Sequence, residues 1–364
     1  MEGLSHFARG GPPGAVMLGV LIALASALAT GEASTATPPI AESLHAEVAR
    51  ERKSLEDLPA SPFVDGERPR LRGLLDDAEA LLKAGRVNVA LETLASAGPG
   101  VAAISRASTG WDDSGKGSGK GIDALRKEWE TVGAELKAGR TKFPPSPPGG
   151  QPLFIRALAE QSLGQIDEHY AVAVDSGRVS GVSSGAYYLG RAEGQLAFAL
   201  FLSGLRAKEA RTSLSLPSFA EPIARIEDEI VSAYAKPGST TQHTNFIIAN
   251  SSLKLAKELN RHGLFAGALV TGLRSLFALG LATVPVPAAD REPALSAELD
   301  DFAASFKSAS EDRSIGLAFV EKARVALDKS RAGGETGDRE RVRAAAIVEL
   351  VLPRYLEITK GLGK

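Results

Sequence analysis

Apolar residues recur at helical spacing along most of the chain. In Ser252–Ala282, Leu255, Ala256 and Leu259 share one face, and after Gly263 the stripe continues through Phe265, Ala268, Leu269, Gly272, Leu273 and Leu276. The spacing predicts two amphipathic helices meeting at a tight corner on Gly263, with Phe265, Ala268, Leu269 and Leu276 buried. Leu74–Ala97 repeats the design. Ala78, Leu81, Gly85, Val87, Ala90 and Leu91 occupy the relative places of Ala256, Leu259, Gly263, Phe265, Ala268 and Leu269.

The remaining pattern extends this reading. Ile40, Leu44, Val48, Leu55 and Leu58 predict a first helix stopped by Pro59, and Ser61 to Pro69 reads as a proline-punctuated loop. Gly98-Pro99-Gly100 would close the first hairpin. Residues 105–121 read as an exposed loop of Gly, Ser, Asp and Lys around Trp111, and Ile122, Leu125, Trp129, Val132 and Leu136 form another helical stripe. Helices are then expected over 153–176, 183–205, 219–235, 244–262, 264–282, 293–308, 314–330 and 338–360. Short strand-like runs at 170–174 and 347–352 fit a helix better. The fold class is all-α, with helical hairpins packed as an irregular α-solenoid or a multi-helix bundle. The proline-rich run in 143–152 is the natural divider, giving an N-terminal helical domain at 40–142 and a C-terminal one at 153–364.

The shared spacing (Ala, Gly seven residues on, an apolar residue two later, then Ala-Leu) resembles the tetratricopeptide repeat over Leu74–Leu94 and Leu253–Leu273, with a partial echo at Gly194, Leu196, Ala199 and Leu200. The resemblance implies close antiparallel helix pairs that stack into a concave surface binding a protein or peptide. Gly272 stands where that family carries a bulky residue, and no proline ends either unit at the family's place.

Composition narrows the function more by exclusion than by assignment. Aromatic residues make up only 5% of the 364, so Ala, Leu and Val must fill the interior. With 42 Lys and Arg against 44 Asp and Glu, and no basic run, the chain lacks the charge for nucleic-acid binding. The absence of cysteine excludes thiol nucleophiles, disulfides, Cys-ligated zinc, iron–sulfur clusters and a lipoprotein anchor. Arg9 precedes an uncharged run, Ala15 to Ala29, that ends in small-residue cleavage patterns. About fifteen apolar residues suit a signal-peptide core and fall short of the ~20 that span a bilayer. The expectation is a signal peptide at 1–29, a linker at 30–39, and a periplasmic or secreted protein without a stable span. An N-terminal membrane anchor is the alternative.

Catalytic motifs are present only in fragments. Gly181-Val182-Ser183-Ser184-Gly185 has the form of a nucleophile elbow, but no buried strand precedes it, so Ser183 or Ser184 reads as a helix N-cap. Ser251-Ser252-Leu253-Lys254 matches S-x-x-K without its companion motifs, so Asn250 or Ser251 reads as capping or beginning a helix. Gly115–Gly121 lacks the first glycine and the hydroxyl of a phosphate-binding loop. His45, His169, His243 and His262 include no metal-spaced pair, and no cofactor or catalytic set emerges. The expected function is therefore an exported, non-enzymatic helical protein binding a protein or peptide partner in a groove between hairpins. The competing expectation is an enzyme or small-molecule receptor whose polar pocket is lined by Tyr187, Tyr188, Glu193 and His243.

Overall fold

The computed structural model describes residues 39–113, 119–207, 214, 216–234, 240–360 and 362. The export signal expected at 1–29, and most of the glycine-rich stretch 115–121, lie outside them. Among the described residues the protein is all-α, its one strand-like feature being an isolated bridge between Trp111 and Lys120. The helices are α1 (Ile40–Glu56), α2 (Pro62–Lys83), α3 (Val87–Ala107), α4 (Ile122–Arg140), α5 (Leu153–Val179), α6 (Val182–Gly204), α7 (Ala220–Ala233), α8 (Thr240–Arg261), α9 (Phe265–Thr283), α10 (Glu292–Ser308), α11 (Ser314–Ser330), α12 (Gly334–Ala346) and α13 (Leu352–Thr359). A π-helical stretch, Ile347–Val351, joins the last two just before Pro353, which has no N–H to return to the carbonyl four residues back.

The two hairpins singled out by pattern turn in the same way. Gly85 (φ 71°) and Gly263 (φ 73°) both adopt the left-handed conformation. The residue after each glycine donates back five positions, Arg86 N–H to Leu81 O and Leu264 N–H to Leu259 O, the Schellman closure of a helix end. Ala268, Leu269 and Leu276 are buried as expected, while Phe265 is half-buried at the start of α9 and packs against the edge of the core.

Two helices continue where the sequence suggested a break. Ser61 caps α2 by accepting the Val64 N–H, so the presumed loop 61–69 is the first two turns of a helix that tolerates Pro69. Helix α3 runs through Gly98-Pro99-Gly100 to Ala107. Burial explains the override. The α6 backbone at Gly194 lies so close to Pro99 that a Cβ there would sit 2.7 Å from the Pro99 Cα, and one at Gly190 would meet the Ala102 carbonyl at 2.6 Å. At Pro99, close packing outweighs the backbone hydrogen bond that the proline removes; Pro69, by contrast, lies on the exposed side of α2.

Helices α5 and α6 form the central hairpin; α3 lies along α6, α2 and α1 along α3, and α4 across the pair. Helix α9, buried nearly all round, packs on α5, α8 and the α12–α13 segment. By length and composition α3 and α9 could each cross a membrane, but both bury their apolar faces inside the protein. Helix α11 reaches back to α3, where Lys322 meets Glu92 and Asp328 meets Arg86. A solenoid joins only neighbouring units, so these contacts make the architecture a closed multi-helix bundle. Side chains from both sides of residues 143–152 share one hydrophobic cluster. That segment is itself tethered: Arg156 donates to the carbonyls of Pro144 (2.8 Å) and Pro145 (3.3 Å) and stacks over Phe143.

Helix N-termini are capped largely from a distance. The Glu321 carboxylate on α11 accepts the Val89 N–H at the start of α3; Asp312 accepts the Leu153 N–H of α5; Asp113 accepts the Ser183 N–H of α6; Asn260 accepts the Phe219 N–H ahead of α7; and Glu160 accepts the Gly267 N–H of α9. Gly181, with φ 101°, is the N-cap of α6, where a capping Ser183 or Ser184 was expected. Each distant cap satisfies an orphan donor and ties two helices together.

Candidate functional site

The four residues proposed to line a pocket divide between two places. Tyr187, Tyr188 and Glu193 share α6. The two tyrosine rings meet edge to face at 5.7 Å, Arg191 donates to the Tyr187 hydroxyl (3.2 Å), and the Tyr188 ring lies 6.2 Å from that of His169 on α5. Burial, assisted by the charge of Arg191, pushes His169 down to about 4 and keeps it neutral at pH 7. Glu193 receives both Nε and Nη2 of Arg106 at 2.6 Å; Arg106 Nη1 also bonds Glu128, which pairs with Lys120 at 2.8 Å. Burial alone would lower Arg106, but Glu193 and Glu128 outweigh it and raise it. Glu193 thus fastens α6 to α3 and, through Glu128, to α4.

His243 stands instead on the first turns of α8, exposed, its Nδ1 3.3 Å from the Tyr234 hydroxyl at the end of α7. Tyr234 also packs edge-on against buried Phe246 at 5.1 Å. Val231 lies one turn before Tyr234 on α7, and Ile247 one turn after His243 on α8, so the four side chains run across the α7–α8 junction. Val231 is 67% exposed, Tyr234 41%, Ile247 53% and the adjoining Ile248 48%. Val231, Ile247 and Ile248 are thus large aliphatic side chains left exposed on the two helices that Tyr234 and Phe246 pack together.

Comparison of the chain with protein-family models, with curated proteins and with solved structures finds no match. Function must be read from the chain itself.

Two cavities bear on that reading. The larger, about 470 Å³, is lined by Arg86, Arg324, Arg331, Glu292 and Asp328. Its charged groups are all engaged: Arg86 and Arg331 pair with Asp328, Arg324 with Asp300, and Glu292 with Arg341. The smaller, about 240 Å³, lies where α3, α5 and α9 cross and is walled by Glu92, Ser96, Gln161, Ser162, Gln165 and Arg274. Arg274 donates to Gln161 Oε1 and to Glu92 Oε1 (2.9 Å), and Lys322 donates to Glu92 Oε2 (2.8 Å). Burial alone would raise the Glu92 carboxyl, yet the two cations hold it at about 2.

These cavity residues were passed over in the sequence, although a signal was present. Arg274 is the single charged side chain between Phe265 and Thr283, and Gln161 and Gln165 stand one turn apart on α5. The motif fragments fall elsewhere. Helix α8 begins at Thr240, so Ser251 and Lys254 are exposed mid-helix residues, and neither Asn250 nor Ser251 begins or caps it. Among the described residues no three His, Asp or Glu side chains are grouped to hold a metal.

Proposed function

We propose that this is an exported helical scaffold that binds a partner protein without catalysing a reaction, using the groove between α7 and α8. The observation that supports the reading is the set Val231, Tyr234, Ile247 and Ile248, large side chains left exposed on two helices that pack against each other. Such a surface is costly to solubility and is kept where another chain covers it. The groove between two helices fits the apolar face of an amphipathic segment, whose i, i+3 and i+4 anchors match this spacing. The matching Schellman corners at Gly85 and Gly263 support the shared packing solution implied by the tetratricopeptide resemblance, and the run Ala15–Ala29 supports export.

Co-purification from envelope extract tests the reading. A partner retained by the native chain and lost with Ile247→Asp and Val231→Asp, at unchanged helical circular dichroism, is the expected result. A native chain that elutes as a monomer and retains nothing that these substitutions release overturns it.

A second reading, small-molecule binding, is favoured by the polar cavity at the α3–α5–α9 crossing.

A further inference from the structure

The smaller cavity has a donor pattern with a consequence for what it holds. A guanidinium only donates, so Gln161 must turn its Oε1 toward Arg274, which leaves the Gln161 Nε2–H₂ group to the cavity. Gln165 Oε1 accepts from Gln195 Nε2 at 2.7 Å, and with the two amides oriented as in the structure Gln165 Nε2 is a further donor. Ser162, 3% exposed, adds a hydroxyl to the same wall. Charge points in the same direction: Arg274 and Lys322 share the single carboxylate of Glu92, so the group carries one positive charge in excess.

We propose that this cavity binds a small organic carboxylate, whose oxygens accept from Gln161 Nε2, Gln165 Nε2 and Ser162 Oγ beside Arg274. The inference is independent of the α7–α8 surface. Donors in a partly dehydrated wall next to an excess cation select an anionic acceptor over a neutral or cationic one. The volume, about 240 Å³, lies below the ~300–1,000 Å³ typical of drug-sized ligands and suits a short acid, not a nucleotide or lipid.

Isothermal titration calorimetry and thermal shift on the full chain test this with acetate, pyruvate, succinate, glutarate and citrate. Succinamide serves as a neutral isostere and inorganic phosphate as the competing anion. At least one carboxylate is expected to bind saturably and raise Tm, with succinamide silent and with Gln161→Leu and Ser162→Ala each weakening binding tenfold or more. Ser162→Ala leaves the Arg274 and Glu92 contacts intact, so its loss of binding cannot be ascribed to misfolding when its ligand-free Tm matches the native chain. The proposal is overturned if no carboxylate binds the folded protein at 10-fold molar excess in the millimolar range, if phosphate alone binds, if succinamide binds as well as succinate, or if both variants bind normally.

Discussion

Arg156 and Glu160 offer the most demanding test of how this bundle is held. Both side chains are essentially out of solvent, 3% and 5% exposed, and Arg156 Nε lies 2.5 Å from Glu160 Oε1. Glu160 also caps α9 through the Gly267 N–H, and Arg156 also holds the carbonyls of Pro144 and Pro145. Replacing Arg156 with Met leaves a buried carboxylate without its cation, which typically costs roughly 3–5 kcal/mol. Burial already raises the Glu160 carboxyl even with Arg156 beside it, so removing the arginine raises it further. A folded-state value above the unfolded one means that folding takes up a proton. The penalty is therefore full above the folded value and fades as pH falls toward about 4.3, the ordinary glutamate value. Urea unfolding followed by circular dichroism should show Arg156→Met destabilised by about 3–5 kcal/mol at pH 7.5. At pH 4.5 only the lost hydrogen bonds remain, about 1–2 kcal/mol. Removing both charges, Arg156→Met with Glu160→Leu, leaves no unpaired buried charge, so its cost should be that of the lost bonds to Gly267, Pro144 and Pro145, about 1–2 kcal/mol, with much less change between the two pH values. A cost for Arg156→Met that is the same at both pH values, or that stays under about 1 kcal/mol, refutes the reasoning.

Three further outcomes are expected. Glu92, held at about 2 by Lys322 and Arg274 against the effect of burial, has a folded value below its unfolded one, so its contribution is present above about 4.3 and is lost as pH falls toward 2; the difference in urea midpoint between the native chain and Glu92→Gln, worth about 2–3 kcal/mol at pH 7, should shrink steadily at pH 4 and 3. Gly85→Ala and Gly263→Ala should each lower stability by about 1 kcal/mol, because an added Cβ meets nothing at either corner and only the left-handed backbone is penalised; thermal unfolding should give the two variants matching losses. Glu321→Ala removes the cap on α3 and should cost about 1–2 kcal/mol, with hydrogen exchange faster at the start of α3 as its local signature.

Periodicity made the helices and both glycine corners legible, because burial of one face leaves its period in the sequence whatever the partner. The stripe Ala268, Leu269, Leu273 and Leu276 needed only the existence of a core to be read. What lay across the core was hidden. Pro99 looked like a terminator because its defect is local, whereas the packing of Gly190 and Gly194 that offsets it comes from another helix. Caps were sought in adjacent Ser and Asn residues, but Asp113, Glu160, Asp312 and Glu321 supply them from 70 to 232 positions away. The candidate pocket suffered in the same way: Glu193 interrupts an apolar run because it meets Arg106, while His243 belongs to a polar helix start and lies beside Tyr234. Arg274 stood out by composition, yet its partners Glu92 and Gln161 belong to two other helices, and no spacing rule connects them.

The seam between α3 and α6 also sets an order of events during biosynthesis. Pro99 and Ala102 emerge from the ribosome roughly 90 residues before Gly190 and Gly194, a wait of order 5–20 s at the ~5–20 residues per second of synthesis. For that interval the face of α3 that will meet α6 is uncovered, although α1 and α2 can already pack on another side of it. Holding factors that favour extended, unburied segments therefore have their opportunity before the second half of the chain exists, and the seam closes only when α6 arrives.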